Sequence, residues 1–389
     1  MEAGGGASAG RSSAGIRRAE VRCDDPRALD RLAEALGSDL ALTALFASPE
    51  ADLPAVMQQA EHRFAPAVVV GCTTAGEIGT AGYVDGMIVA VGLPRSRFVA
   101  HAFAVPDLDR LDGETLVGDM IRARTALMAE EPRWRGEFAF LMVDGLSVRE
   151  DELVSALGAG LGPVPLFGGS AGDGVRFERT RVALGARVME HAAVLCLIRT
   201  ACEVRVFSLD HLRPSETRMV VTDADPSRRI VRRINAEPAA QEYARVLGKD
   251  PAQLSPFTFA AHPVVVRFGG THHVRAIQRV LPDGDLVFFS AIDEGLVLTL
   301  AEPENMVAHL ARELDRITGG RVPDAIWACD CILRRIEAEE RQQLRALSDI
   351  LARHRVVGFS TYGEQFNNMH VNQTMTGVVL FAPPDEDLP

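Results

Sequence analysis

The chain has 389 residues, 47% of them hydrophobic and 24% charged, the balance of a globular protein long enough to bury more than one core. Its 41 basic and 53 acidic side chains leave a net charge of −12, which disfavours nucleic acid and anionic membrane surfaces as partners. No run of about 20 apolar residues occurs, so no helix is expected to span a bilayer.

In chain order, residues 1–29 open on a Gly-, Ala- and Ser-rich stretch without the apolar run of a secretory signal, and read as a disordered tail. Leu40 to Ala47 is expected as a strand, and Met87 to Val91 as another. The run Phe98 to Ala104 alternates Phe98, Ala100, Ala102 and Ala104 against Val99, His101 and Phe103, again as a strand does. A further strand is expected at Phe138 to Val143, then a helix with Leu153, Leu157 and Leu161 on one face, then a strand at Ala192 to Ile198. Glu203 to Leu209, Val264 to Phe268 and Leu286 to Ala291 are strand candidates. Asn305 to Ile317 is a helix candidate with Met306, Leu310, Leu314 and Ile317 inward. The chain closes on a strand at Ala325 to Ile332, a helix presenting Leu344, Leu347 and Leu351, and a strand at Gly377 to Phe381.

Three segments within this order read alike. They are Val69-Val70-Gly71-Cys72-Thr73-Thr74-Ala75-Gly76-Glu77, Leu166-Phe167-Gly168-Gly169-Ser170-Ala171-Gly172-Asp173, and Val356-Val357-Gly358-Phe359-Ser360-Thr361-Tyr362-Gly363-Glu364. Aligned on the final Gly-acid pair, each closes a unit of strand, helix, strand and strand. Glycine permits a sharp turn and a close approach to the backbone, while hydroxyl and carboxylate close the turn on exposed amides. For Glu77 and Asp173 turn closure is the preferred role. The spacing of the last strand in the first and third units favours antiparallel pairing there. The expected class is α/β to α+β: two domains with mixed sheets, 30–225 and 226–389, divided in the charged Asp223 to Arg233 stretch.

Six cysteines (Cys23, Cys72, Cys196, Cys202, Cys329, Cys331) form no disulfide framework and point to reduced thiols in a cytoplasm. Without CxxCH there is no covalent haem attachment. Cys329 and Cys331 read as a buried pair of small hydrophobes.

The segment Val70 to Ile78, taken with Gly168-Gly169-Ser170-Ala171-Gly172-Asp173, resembles a FIST N domain. Gly358 to Glu364, followed by His370 and Asn372-Gln373-Thr374, resembles a FIST C domain, as does Asp330-Cys331-Ile332-Leu333-Arg334. In order, these motifs cover nearly all the chain beyond the tail, making 30–225 FIST N-like and 226–389 FIST C-like. The resemblance implies an intracellular signal-transduction sensor that binds a small ligand and is no enzyme itself. Eukaryotic relatives carry an F-box ahead of this region, which residues 1–29 are too short and Gly-rich to hold. A stand-alone chain resembles the bacterial NosP-type haem sensors of nitric oxide. Those act on a separate histidine kinase, diguanylate cyclase or phosphodiesterase, and a homo-oligomer is compatible with this. One departure is Val371, which separates His370 from Asn372, where FIST C domains generally set the histidine directly beside Asn-x-Thr.

Under that resemblance, non-covalent haem b needs an axial donor, an apolar slot and partners for its propionates. Of ten histidines His370 leads: were Met369 to Met375 extended, His370, Asn372 and Thr374 would share a face beside the Gly363-Glu364 turn, with Glu364 orienting the imidazole. The competing reading is a structural histidine bonded at that turn. His262, made extended by the following proline, is second, and His272-His273 third. Cys331 is a thiolate candidate set against a buried thiol, and Arg334 a propionate partner set against an ordinary ion pair. Nitric oxide would signal only by favouring one conformation of the protein.

Other readings stand beside this one. A haem-free receptor for a small polar metabolite, such as an amino acid, would contact it through Thr74, Gly76, Glu77, Thr361, Tyr362, Gly363, Glu364, Asn372 and Thr374. A protein-binding adaptor would use the acidic surface. An enzyme is disfavoured, since GxSxG, Walker A, HExxH and a strand-borne GxGxxG are all missing.

Overall fold

The computed structural model describes residues 15–268 and 270–382. Three six-stranded sheets, each built to the same plan, surround one core, and a fourth sheet is inserted into the third unit. The first sheet runs Arg17–Arg22, Met87–Pro94, Leu40–Ala47, Val68–Thr73, Val182–Leu184, Arg187–Met189. The second runs Phe98–Val105, Ala193–Thr200, Gly136–Val143, Leu166–Ser170, Glu364–Phe366, Met369–Val371. The third runs Glu203–Leu209, Met375–Phe381, Ala325–Cys331, Val356–Thr361, Glu77–Gly79, Gly82–Val84.

In each sheet the two middle strands are parallel and joined by helix, as a crossover requires, while the returning strand pairs antiparallel with the first of them. The antiparallel expectation holds for the first and third units, and the partner is the first strand of the unit. Each unit also sends a short hairpin to another unit's sheet. The first unit's joins the third sheet, the second's the first, and the third's the second. A strand edge that would stand open is thereby covered, and the three units are locked in a ring.

Pairing register corrects the sequence alignment of the repeats. Leu45, Leu141 and Ala328 lie opposite Gly71, Gly168 and Gly358, so these glycines are the equivalent positions. A Cβ there would sit 2.9, 2.4 and 1.8 Å from the carbonyl oxygens of Leu45, Leu141 and Ala328, which leaves room for glycine alone. The Gly-acid pair is therefore shared by the first and third units, and Asp173 falls one residue earlier. Gly174 occupies the place of Glu77 and Glu364.

The inward faces of the first parallel strands meet on the axis. Phe46, Phe140 and Trp327 are fully buried, with ring centroids 4.2 to 6.1 Å apart, and Phe359 stacks on Phe46 at 4.5 Å. Each such side chain contributes about 1.5–3 kcal/mol by burial. Helices cover the outer faces: Glu150–Leu161 buries Leu153, Leu157 and Leu161, and Leu344–Arg353 buries Leu347 and Leu351. Met306–Thr318 is capped by the Asn305 side chain, which accepts from Ala308 N at 2.9 Å. No helix among the described residues is long and apolar enough to cross a membrane.

Several expectations are overturned. Of the 1–29 tail, residues 1–14 lie outside the described residues, but Arg17–Arg22 is a strand paired with Met87–Pro94 and Ala28–Leu36 is a helix. The boundary expected between 225 and 226 falls in a hairpin: Leu212–Asp225 turns back onto Ile230–Ile234. That hairpin belongs to the inserted eight-stranded sheet, which occupies 212–303 between Glu203–Leu209 and Met306–Thr318. Charge had marked this stretch as a linker, yet Val221, Val231 and Ile234 are buried beneath it. Finally, Met369 to Met375 is not one extended run. The strand stops at Val371, Gln373 turns with φ +50°, and a new strand starts at Met375.

Candidate functional site

The strand ends Thr73, Ser170 and Ser360 meet at one pole of the ring and bind each other's turns. Ala75 N donates to Ser360 O at 2.9 Å, Tyr362 N to Ser170 O at 3.1 Å, and Gly172 N to Thr73 O at 3.2 Å. The turns expected to build a pocket are thus in contact, and the inserted sheet lies over them. Ala75, Tyr362 and Cys331 pack with Ala260, Val265, Val274, Ala276 and Phe289 in one apolar cluster.

Within this pole the two equivalent glutamates close their own turns. Glu77 accepts from Thr74 Oγ1 at 2.5 Å and Met87 N at 3.0 Å. Glu364 accepts from Thr361 Oγ1 at 2.5 Å, and from Thr374 Oγ1 and N at 2.7 and 3.2 Å. Burial pushes Glu77 up to about 7 and Glu364 up to about 8, against the pull of those hydroxyls. Gly76 lies against the Arg335 guanidinium. Asp173 serves a different turn, accepting from the N–H groups of Phe177, Glu178 and Arg179 and from the Tyr362 hydroxyl. Burial raises its carboxyl, but Tyr362 and those three amides hold it below its ordinary value. The side chains of Thr74, Glu77, Thr361, Glu364, Tyr362 and Thr374 are therefore engaged with one another, or with turn backbone, beneath the surface.

His370, Asn372, Gln365 and Gln373 are different. All are buried, and His370 Nε2, both amide atoms of Asn372, Gln365 Oε1 and Gln373 Oε1 have no hydrogen-bond partner among the described residues. His370 and Asn372 share the space over Gly363, where a Cβ would come 2.9 Å from His370 Nε2 and 2.8 Å from Asn372 Nδ2. Gln365 Nε2 lies 3.0 Å from Ser170 Oγ and 3.3 Å from His370 Nδ1; with the amide placed this way, Nδ1 accepts and the neutral imidazole carries its proton on Nε2. Gln373 Nε2 donates to Ala260 O at 2.9 Å, tying the turn to the helix Pro256–Ala261 of the inserted segment. Buried polar atoms demand partners, and leaving one unmatched costs about 1–3 kcal/mol. Burial pushes the His370 pKa down; Glu150 and Asp151 pull it up, while Arg229 and Arg275 push it down. Those four charges border the turn. Arg229 donates to Glu150 at 2.7 Å, to Asp151 at 3.0 Å and to Phe289 O, while Asp151 accepts from Ala291 N at 3.1 Å. Gln365, Gln373, Glu150, Asp151, Arg229 and Arg275 escaped the sequence reading; only the Asn-Gln-Thr run carried a signal for one of them.

Arg334, on the helix Ile332–Glu340, donates to Asp330 at 2.8 Å and to His211 Nδ1 at 2.9 Å. Asp330 also accepts from Tyr83 at 2.5 Å, and His211 Nε2 is 2.9 Å from Glu337. Because arginine only donates, neutral His211 gives its Nε2 proton to Glu337. Burial, with Glu364 nearby, pushes the Cys331 thiol well up, which favours the thiol over a thiolate. His262 is half-buried at the C-terminal end of the helix Pro256–Ala261, its pKa lowered by burial and by Lys249 and Arg341. His272 and His273 line a separate cavity of about 230 Å³ with Asp210, Phe366 and Met369.

Iron would need the other tautomer of His370, with the proton on Nδ1 and the Gln365 amide turned to accept it, and Gly363 and Asn372 lie against the ring. Among the described residues no group of three or more His, Cys, Asp or Glu is arranged to hold a metal ion. What the arrangement offers is a buried set of neutral donors and acceptors flanked by charges of both signs.

The family model for the FIST N domain matches residues 41–237, and that for the FIST C domain matches 239–367. No curated protein matches the chain. The two matches interlock, since the hairpin Glu77 to Val84 lies in the sheet of the C part and Glu364 to Val371 in a sheet of the N part.

Proposed function

Because the chain belongs to the FIST family, whose domains are sensory and ligand-binding and not catalytic, we propose that it is a signal-transduction sensor for a small polar metabolite of the amino-acid class. The observation that carries this reading is the group of five partnerless polar atoms on His370, Asn372, Gln365 and Gln373 at the pole beneath the inserted sheet. His370 Nε2–H and Asn372 Nδ2 suit a carboxylate, and the side-chain oxygens of Gln365 and Gln373 suit an ammonium group. Glu150, Asp151, Arg229 and Arg275 supply the mixed field that favours a zwitterion. A ligand that bridges Asn372 and Gln373 holds the inserted segment, through Ala260 of its helix Pro256–Ala261, against the ring; that differential contact is what a signal requires. The output passes to a separate histidine kinase or cyclic-di-GMP enzyme inside the cell.

The test is a panel of free L-amino acids at millimolar concentration, read by calorimetry and by thermal shift on the whole chain. At one hundred times Kd a ligand adds about 2.7 kcal/mol of stability. Asn372→Leu removes two partnerless atoms, so it folds at least as well and loses the response. Silence across the panel, or an equal response in Asn372→Leu, refutes the reading; so does a Soret band that survives gel filtration.

A further inference from the structure

A second cavity of about 380 Å³ opens between the 144–149 loop and the inserted sheet, within the size range of small-molecule sites. We propose that it binds a small organic anion with a flat apolar body. Its walls are Phe177, Phe289, Leu281 and Val287, with the two phenyl rings 5.7 Å apart and tilted by 56°. Such walls accept a planar ring at offset or edge geometry. At the rim stand Arg228 and Arg279, both exposed, neither side chain engaged in a hydrogen bond or salt bridge among the described residues. At the floor Arg229 is neutralised by Glu150 and Asp151. Asp225 feels Arg228 but also faces Arg232. The free positive charge therefore lies at the mouth, and the apolar surface within.

Backbone conformation marks the same place. Val148, Phe177 and Arg229 all line this cavity, and all have left-handed backbones, with φ of +59°, +54° and +54°. A β-branched residue in that region is an outlier, and strain of this kind gathers where a ligand is clamped. Phe177 is held there by Asp173 Oδ1 on its N–H, and its ring lies 4.6 Å from that of Tyr362. A body seated against Phe177 and Phe289 thus packs beside Tyr362, whose ring lies 4.6 Å from Phe177 and 6.1 Å from Phe289. Its lining includes Arg229 but none of His370, Asn372, Gln365 and Gln373, and the proposal stands whether or not an amino acid binds at that turn.

The test uses phenyl phosphate and inorganic phosphate, titrated into the whole protein by calorimetry. Phenyl phosphate binds at a single site, and inorganic phosphate at least about tenfold more weakly for want of the ring. Arg228→Ala and Arg279→Ala, both at exposed positions, each weaken phenyl phosphate about tenfold, and added salt weakens the wild type but not the double variant. Leu281→Trp fills the cavity and abolishes binding. Asn372→Leu leaves the affinity unchanged, which separates this site from the metabolite site. The proposal is overturned by no binding at millimolar phenyl phosphate, by equal affinity for inorganic phosphate, by indifference to both arginine substitutions, or by loss of binding in Asn372→Leu.

Discussion

Replacing Glu364 by glutamine should stabilise the protein in alkaline solution and not in acid. In the folded chain burial raises the Glu364 carboxyl to about 8, against about 4.3 when unfolded. With the folded pKa above the unfolded one, the folded state holds the proton more tightly. Its contribution to stability is fully present below about pH 4.3 and is lost as pH rises through about 8. Each pH unit inside that window removes about 1.4 kcal/mol, so wild type loses about 3 kcal/mol through this group between pH 5.5 and 8. Glutamine reproduces the protonated acid. Its oxygen accepts from Thr374 N and Oγ1, its amide nitrogen faces Thr361 Oγ1, and that hydroxyl turns to donate to Asp330 O, now 3.3 Å away. Urea unfolding of both proteins, followed by tryptophan fluorescence at pH 5.5, 7 and 8.5, gives the difference directly. Glu77, raised to about 7, titrates in both and cancels. A difference that stays flat across this range, or falls with pH, refutes the assignment of Glu364 as a buried, proton-holding staple.

Two other outcomes follow from the core and from the contact between inserted sheet and ring. Trp327→Ala removes the side chain packed on Phe46, Phe140 and Phe167 and should cost about 3–5 kcal/mol in chemical unfolding, whereas Trp327→Phe, which keeps a ring and deletes a partnerless indole N–H, should cost about 1 kcal/mol. Arg229→Met leaves buried Glu150 without its cation and should cost about 3–5 kcal/mol, with Glu150→Gln on the same chain restoring a large part; a double-mutant cycle measures the coupling.

Local patterns made much of the fold legible. Strands such as Leu40–Ala47 and Glu203–Leu209 are continuous or alternating apolar runs, and their limits match the expected ones. The helix after Asn305 and the leucine faces of Glu150–Leu161 and Leu344–Arg353 were equally plain, because a 3.6-residue period is a property of neighbouring residues. Hairpin strands of three residues, such as Glu77–Gly79 and Glu364–Phe366, are too short to show any period. Their partners, Gly358 to Phe359 and Phe167 to Gly169, lie in other units. At the site, His370, Asn372 and Gly363 were visible as a motif. Glu150 and Arg229 were not, since they meet across 79 residues of chain and Arg229 sits in a charged stretch that reads as linker.

Sequence alone determined that three similar strand-helix-strand units exist, that their turns need glycine, and that the chain resembles a FIST protein. Tertiary structure decided where each unit's hairpin goes, which glycine is the equivalent one, and which polar atoms are left without partners. The reason is one of range. Periodicity and turn chemistry are set by residues a few positions apart, whereas a hydrogen bond missing at His370 exists only once distant segments have closed around it and shut out water.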